Sequence, residues 1–235
     1  MPIQQSPKQH YDVVIIGAGM AGLTLSRQLL LYTNKSILLI DKRMNPPAEA
    51  PQKYGESLVQ LSGYYLSKVL DLEEHLLVNH FLKYNLRFHW TTPGLDNKSY
   101  EDYSQSSIRR QSNLATFQID RNVIEQHLFE INTASDRMDF VAGTYGTEVD
   151  LNPTGDHVVR WEGGQTTCRW VVDASGRQRV IQKQMDLKAK NQIRHGSTFF
   201  WVDGLLNVER LTGRSHEEFL YDRRSEEHTS ELQSH

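Results

Sequence analysis

The stretch from Tyr11 to Asp41 constrains the fold more than any other part of the chain. Tyr11–Ile16 (YDVVII) is a short apolar run rich in β-branched residues, the pattern of a parallel strand buried on both faces. It leads into Gly17-Ala18-Gly19-Met20-Ala21-Gly22, a GxGxxG turn. Met20–Tyr32 then carries apolar residues at helical spacing, and Ile37–Ile40 is a second apolar run closed by Asp41. Strand, glycine turn, helix and strand in about 30 residues make a βαβ unit. In such a turn the first glycine permits the tight bend, the second lets a pyrophosphate approach the backbone, and the third lets the helix pack on the strand. The helix N-terminus offers unpaired N–H groups and the positive end of its dipole to phosphates. Asp41 lies 19 residues after Gly22, near the place of a carboxylate that accepts ribose hydroxyls. An acid there argues against a 2′-phosphate. The turn by itself leaves FAD and NAD open, as well as a tight strand–helix turn without a ligand.

Composition narrows the classes. The 235 residues hold 26 Lys+Arg and 29 Asp+Glu, a net charge of −3, which is no footprint for nucleic acid or an anionic membrane. No run approaches the roughly 18 uncharged residues of a membrane span. A single cysteine, Cys168, excludes an internal disulfide and a Cys-based zinc site, and beside a strand it is expected to be inert. His75 and His80 lie five apart, about 140° around a helix, and are expected at the surface or in an interface rather than on a metal. The polar start, MPIQQSPKQHYD, lacks a signal-peptide core, and a cytoplasmic protein is expected. Arg224–His235 (RSEEHTSELQSH) resembles the translation of a sequencing adapter, so Met1–Arg223 is expected to be the front part of a longer protein.

Further along, Leu58–Leu70 and Leu72–Phe81 read as amphipathic helices and Leu86–Trp90 as a strand. Residues 91–113 are polar and receive no assignment. Leu114–Ile119 reads as a strand, and Asp120 as the N-cap of a helix reaching about Thr133. Strands broken at Gly143, Gly146 and NPTGD are expected from Phe140 to Trp161, another over Arg169–Val172, and one over Thr198–Val202. Tryptophans in the expected strands read as core. Arg109-Arg110 is too short for a nucleic-acid patch and reads as a solvated turn.

Two later segments, taken with the glycine turn, separate FAD from NAD, and two more narrow the family. WVVDASGR (Trp170–Arg177) resembles the second FAD-contacting motif of the flavoprotein monooxygenase and halogenase superfamily, which places Asp173 and Gly176 beside the dinucleotide. FQIDR (Phe117–Arg121) resembles that superfamily's helix-opening D-R segment, whose arginine, here Arg121, lies near the ribityl–pyrophosphate; a surface Arg121 paired with Glu125 at i,i+4 is the competing reading. YGESLVQLSGYYL, from Tyr54, resembles the G-E-S loop of flavin-dependent halogenases, and FLKYNLRFHW (Phe81–Trp90) their F-K-x-G-x-x-F-x-x-W segment. The family's lysine in that segment is catalytic and receives hypohalous acid, and Lys83 stands at its position, 28 residues after Gly55. Partial burial would depress its pKa and favour the reactive amine. Asn85 replaces the glycine two residues after that lysine, and Gln60 stands where many halogenases have proline. The family's W-x-W-x-I-P segment does not occur before Arg223, and its late G-D motif would lie further on still; weak FAD retention is therefore expected.

The resemblance implies an α/β fold: a FAD-binding Rossmann-like domain of glutathione-reductase type with part of a mixed-sheet substrate region. Residues 1–223 would form a truncated FAD-binding oxidoreductase domain. Its FAD layer would cover about 11–90 and 114–185, its substrate region about 91–113 and 186–223, and residues 224–235 would be a tail. The implied cofactor is FAD, held by Gly17, Ala18, Gly19, Ala21, Gly22, Asp41, Arg43, Glu56, Ser57, Arg121, Asp173 and Gly176, with no metal. The implied partners are an electron-rich aromatic such as an indole, a halide, and a flavin reductase. A flavin monooxygenase, an isoprenoid-type reductase and a non-catalytic flavoprotein-fold binder stay open.

Overall fold

The computed structural model describes residues 7–44, 53–83, 87–107, 113–190, 192–193, 196–200 and 202–204. In chain order it forms β1 (His10–Ile16), α1 (Met20–Tyr32), β2 (Ile37–Asp41), α2 (Gln60–Tyr64, continued by a π-helical turn over Tyr65–Val69), α3 (Glu73–Asn79), β3 (Phe81–Leu82), β4 (Arg87–Trp90), β5 (Ser104–Ser107), β6 (Phe117–Gln118), α4 (Arg121–Thr133), β7 (Met138–Ala142), β8 (Glu148–Asp150), β9 (His157–Trp161), β10 (Gly164–Asp173) and α5 (Val180–Gln184). The chain divides into two compact units: Met1–Leu82 with Thr116–Thr198, and Lys83–Ala115 with Phe199–His235.

The first unit is built on a six-stranded sheet of order β7-β2-β1-β10-β9-β8. β7, β2, β1 and β10 run parallel, while β9 and β8 are antiparallel. The apolar runs read from the sequence are its centre. Every residue of β2 is buried, because successive side chains point to opposite faces and both faces are covered. Ile37 and Leu39 join one core with Leu23 and Leu30 of α1 and Ile124 and Leu128 of α4. Leu38 and Ile40 join a second core with Val14, Ile16, Val159 and Trp161 on the opposite face. Each such aliphatic side chain contributes about 1.5–3 kcal/mol on full burial. Helices α1 and α4 are joined further by the buried Asn132 amide, which donates to the Leu23 carbonyl at 2.9 Å.

α1 spans the residues expected, and α4 begins as expected: Asp120 accepts from the backbone N–H groups of Asn122 and Val123. Other expectations need correction. The strand read over Leu114–Ile119 shrinks to Phe117–Gln118, paired with β3. The helix read over Leu72–Phe81 ends at Asn79, and Phe81 begins β3. No strand covers Thr198–Phe200, while Trp201 lies outside the described residues, as do Arg109 and Arg110. Trp161 is core at 8% exposure, but Trp170 is 66% exposed. β9 pairs with β10 only as far as Cys168, which leaves the Trp170 stretch with β1 as its strand neighbour. In the second unit β4 and β5 pair alone as an antiparallel ribbon. Trp90, stacked near Phe88, is therefore exposed rather than core.

Candidate functional site

The carboxyl ends of three parallel strands meet in one row. Ile16 pairs with both Ile40 and Asp173, so the glycine turn, Asp41 and the DASG segment all leave the sheet at the same edge. That edge is where open α/β sheets bind ligands.

The three glycines of the turn have different local reasons. Gly17 has φ +113°, a conformation that L side chains rarely adopt, and a Cβ there would meet the Ala174 carbonyl oxygen at 2.5 Å. The DASG backbone thus lies directly on the turn. A Cβ at Gly22 would stand 1.9 Å from the Gly17 carbonyl oxygen. Gly19 is different: its backbone is extended, with φ −95° and ψ −172°, and a Cβ there would meet nothing within 4 Å. Gly19 N-caps α1 with no side chain to satisfy the first helical N–H groups.

Asp41 is buried and fully engaged. Its Oδ2 accepts from the Ala18 N–H at 2.7 Å and from Arg43 Nη2 at 2.8 Å; its Oδ1 accepts from the N–H and Nε of Arg43, both at 2.8 Å. Burial alone would raise its pKa, but these donors outweigh burial and hold the carboxyl below its ordinary value. Four bonds use the roughly four acceptor directions of a carboxylate. Asp41 therefore braces the turn and grips Arg43 in a bidentate fork. Asp173 does comparable work in its own loop, accepting from the Ser175 N–H at 3.1 Å and the Ile181 N–H at 2.8 Å. Gly176 follows at φ +60°.

A second cluster joins the G-E-S loop to the start of α4. Ile119 N–H donates to the Glu56 carbonyl at 2.8 Å, Ser57 bridges to Gln118, and the Arg121 N–H donates to Glu56 Oε1 at 3.2 Å. Arg121 Nη1 donates to the Tyr54 carbonyl at 2.8 Å, and its Nη2 to Glu125. The i,i+4 pair with Glu125 exists, but not at the surface: the side chains are 17% and 3% exposed. Lys53 Nζ donates to the same carboxylate at 3.0 Å. The sequence pointed to Arg121, Glu56 and Ser57 separately, and the structure brings them into one cluster. The sequence reading missed Lys53, which immediately precedes the G-E-S segment but is not one of its motif residues.

Lys83 opens the second unit, and burial lowers its pKa from the ordinary lysine value. Among the described residues no group of three or more His, Cys, Asp or Glu could hold a metal ion, and no helix is long and apolar enough to cross a membrane. The histidines do cluster, however. His80 is the residue after α3 with extended backbone, so a helical wheel does not apply to it. Its ring is buried and lies 5.2 Å from that of His75, which stacks on His127 at 3.9 Å. The expectation that these two histidines diverge is thereby overturned.

No family model matches the chain. It is 27% identical over 242 residues to the flavin-dependent halogenase chlA of Dictyostelium discoideum, an alignment covering 94% of this chain and 39% of that protein. Its fold is similar to that of the halogenase PltM (18% identity, TM-score 0.57, 76% of this chain and 36% of that one). It is similar also to PqsL of P. aeruginosa, solved with 2-aminobenzoylacetate (15% identity, TM-score 0.62, 79% and 48%). PltM has also been solved in complex with phloroglucinol and FAD. In sequence the chain is thus similar to a flavin-dependent halogenase, and in fold to solved halogenases. The chain spans about two fifths of the length of the curated relative.

Proposed function

We propose that this chain carries the FAD-binding layer of a flavin-dependent oxidoreductase of halogenase type, acting on an electron-rich aromatic. The observation that carries the cofactor reading is Gly19. Gly17 and Gly22 are required by the protein's own backbone, whereas neither the conformation nor the packing of Gly19 requires a glycine. A ligand brought close to the backbone at the start of α1 does require one. In this reading Gly19, Ala21 and Gly22 face the pyrophosphate with the free N–H groups of the helix start, and Ala18 lines the turn with its own N–H held by Asp41. Asp41 receives the ribose hydroxyls once Arg43 turns out of its fork, since the carboxylate has no acceptor direction to spare. Glu56, Ser57 and Arg121 serve the flavin side, and Asp173 and Gly176 hold the DASG backbone against the turn.

FAD, when bound and reduced, supplies the oxygen-dependent oxidation of halide. Lys83 then holds the resulting oxidant and passes it to the aromatic carbon. The depressed pKa of its amine enlarges the neutral, nucleophilic fraction. The halogenase choice within the superfamily rests on the chlA similarity together with the G-E-S and F-L-K segments.

The test supplies the protein with FAD, a flavin reductase, NADH, oxygen, bromide or chloride, and an indole. Halide-dependent halogenated product supports the proposal. Hydroxylated or saturated product without halide dependence assigns a monooxygenase or an isoprenoid-type reductase instead, and no flavin binding by the full-length protein assigns a non-catalytic binder.

A further inference from the structure

We propose that Glu125 is a positioning residue for the flavin side of the site, acting through Arg121 and Lys53; this inference rests on the FAD reading above. Three observations carry it. First, the Glu125 side chain is 3% exposed on α4, yet it is ionically paired twice, with Arg121 Nη2 and with Lys53 Nζ. Buried ion pairs are expensive to desolvate and contribute little net stability, so packing alone gives them no reason to be there. Second, the carboxylate ties together two segments distant in sequence. Lys53 begins the loop that carries Tyr54, Gly55, Glu56 and Ser57, and Arg121 opens α4. Arg121 closes the link from its side by donating to the Tyr54 carbonyl, with its guanidinium 5.9 Å from the Tyr54 ring centre. Third, the hub is incomplete as it stands. Arg121 Nε is buried and has no hydrogen-bond partner. Two cations share one carboxylate, and the charge of Glu125 also reaches Arg43. A buried N–H donor held in a fixed direction fits a polar acceptor oxygen, such as a flavin ribityl oxygen, which ADP lacks.

Glu125 thus fixes which way the Arg121 guanidinium faces, with Nη2 turned to the carboxylate, Nη1 to Tyr54 and Nε left for the ligand. Lys53 is the second strut, holding the G-E-S loop to the same carboxylate. Glutamine at position 125 keeps the shape but loses the charge that orients both cations.

The experiment measures FAD and ADP affinity by equilibrium dialysis for the wild-type chain, E125Q, E125D and the charge-balanced double variant K53M/E125Q, with a thermal melt of each. ADP reports the glycine turn and Asp41 only. The expected result for E125Q is a loss of FAD affinity of about tenfold or more, with ADP affinity within about threefold of wild type. E125D recovers part of the FAD affinity. K53M/E125Q recovers the melting temperature but not FAD binding, because Arg121 still lacks its orienting partner. Recovery of both by the double variant makes Glu125 a structural charge partner only and overturns the proposal, as does unchanged FAD affinity in E125Q. Absence of both FAD and ADP binding in the wild-type chain is a different outcome: it refutes the cofactor reading on which this one rests.

Discussion

Replacing the three turn glycines one at a time separates what the fold needs from what a ligand needs. At Gly22 an alanine Cβ would lie 1.9 Å from the Gly17 carbonyl oxygen and 3.4 Å from Ile15 Cγ2, and neither neighbour is a flexible chain end. Strand β1 and helix α1 must move apart by more than 1 Å (roughly, against ordinary contact distances), an overpacking cost of about 1–3 kcal/mol or more. At Gly17 the φ of +113° adds backbone strain of about 1–3 kcal/mol to the clash with Ala174. In a domain of this size each kcal/mol shifts the melting temperature by about 2–4 °C, so G17A and G22A are expected to melt roughly 5–10 °C lower. At Gly19 the contributions nearly cancel. Alanine is a poorer N-cap than glycine by a few tenths of a kcal/mol or more, but it lowers the entropy of the unfolded chain by about 0.4–1 kcal/mol. G19A is therefore expected to melt within about 2 °C of wild type. G19V, with an equally allowed backbone, places two methyl groups where the pyrophosphate would come and is expected to weaken FAD binding by about a hundredfold, or 2.7 kcal/mol. Thermal denaturation followed by circular dichroism, paired with quenching of flavin fluorescence, reads both quantities. Wild-type FAD affinity in G19V would refute the ligand argument, and a G19A melt as low as that of G22A would refute the packing argument.

Four other expectations follow from the same geometry. K83A in the full-length protein should abolish halogenation and leave FAD affinity unchanged, as product analysis and flavin titration would show. D120A removes the acceptor for the Asn122 and Val123 N–H groups and should cost about 1 kcal/mol in a denaturant titration, since the rest of α4 is untouched. His75 should make stability pH-dependent. Burial first, then His127 and His80, depresses its pKa to about 4, so below about pH 6.5 the unfolded chain binds a proton that the native chain refuses. Stability should thus fall between pH 6.5 and 4 by up to about 3 kcal/mol, and H75Q should flatten that slope in urea melts run across pH. Cys168 is buried and its thiol is pushed up to about 11, so a thiol reagent at pH 8 should label the native chain far more slowly than the urea-unfolded one.

What could be read from the sequence was local. β1, α1, β2 and the Asp120 cap depend on periodicity, turn chemistry and one capping side chain, all confined to a few neighbouring residues. What could not be read depends on where strands end relative to other strands. Trp170 lies in an apolar run and looks like core, but its exposure is decided by β9, which stops pairing at Cys168. The histidine contact was misjudged because a wheel assumes one helix, while His80 lies past the end of α3 and His127 belongs to α4. At the site, the sequence pointed to Arg121 and to Glu125 as alternatives, one functional and one structural. The structure makes them parts of one arrangement, completed by Lys53 from 72 positions away.

The charges along this edge alternate in sign: Asp41 against Arg43, and Glu125 against both Arg121 and Lys53. In a chain built for stability alone such a row is hard to justify, because well-packed apolar side chains in place of a buried ion pair are often neutral or stabilising. The pairs also do less for each other than they would if isolated. The Asp41 carboxylate already receives four donors, while Arg121 keeps a buried Nε without a partner. Acceptor capacity is thus exhausted at one end of the row and donor capacity is left over at the other. A ligand that adds acceptors there, as the ribityl oxygens of FAD would, relieves the second imbalance by taking the Arg121 donor. Its ribose hydroxyls can enter at Asp41 only by replacing the Arg43 fork one donor for one donor. Binding would then release Arg43 to face the added negative charge. In the proposed reading the first pair would open as the second is completed, which would couple Asp41 and Glu125 through the cofactor although no hydrogen bond joins them.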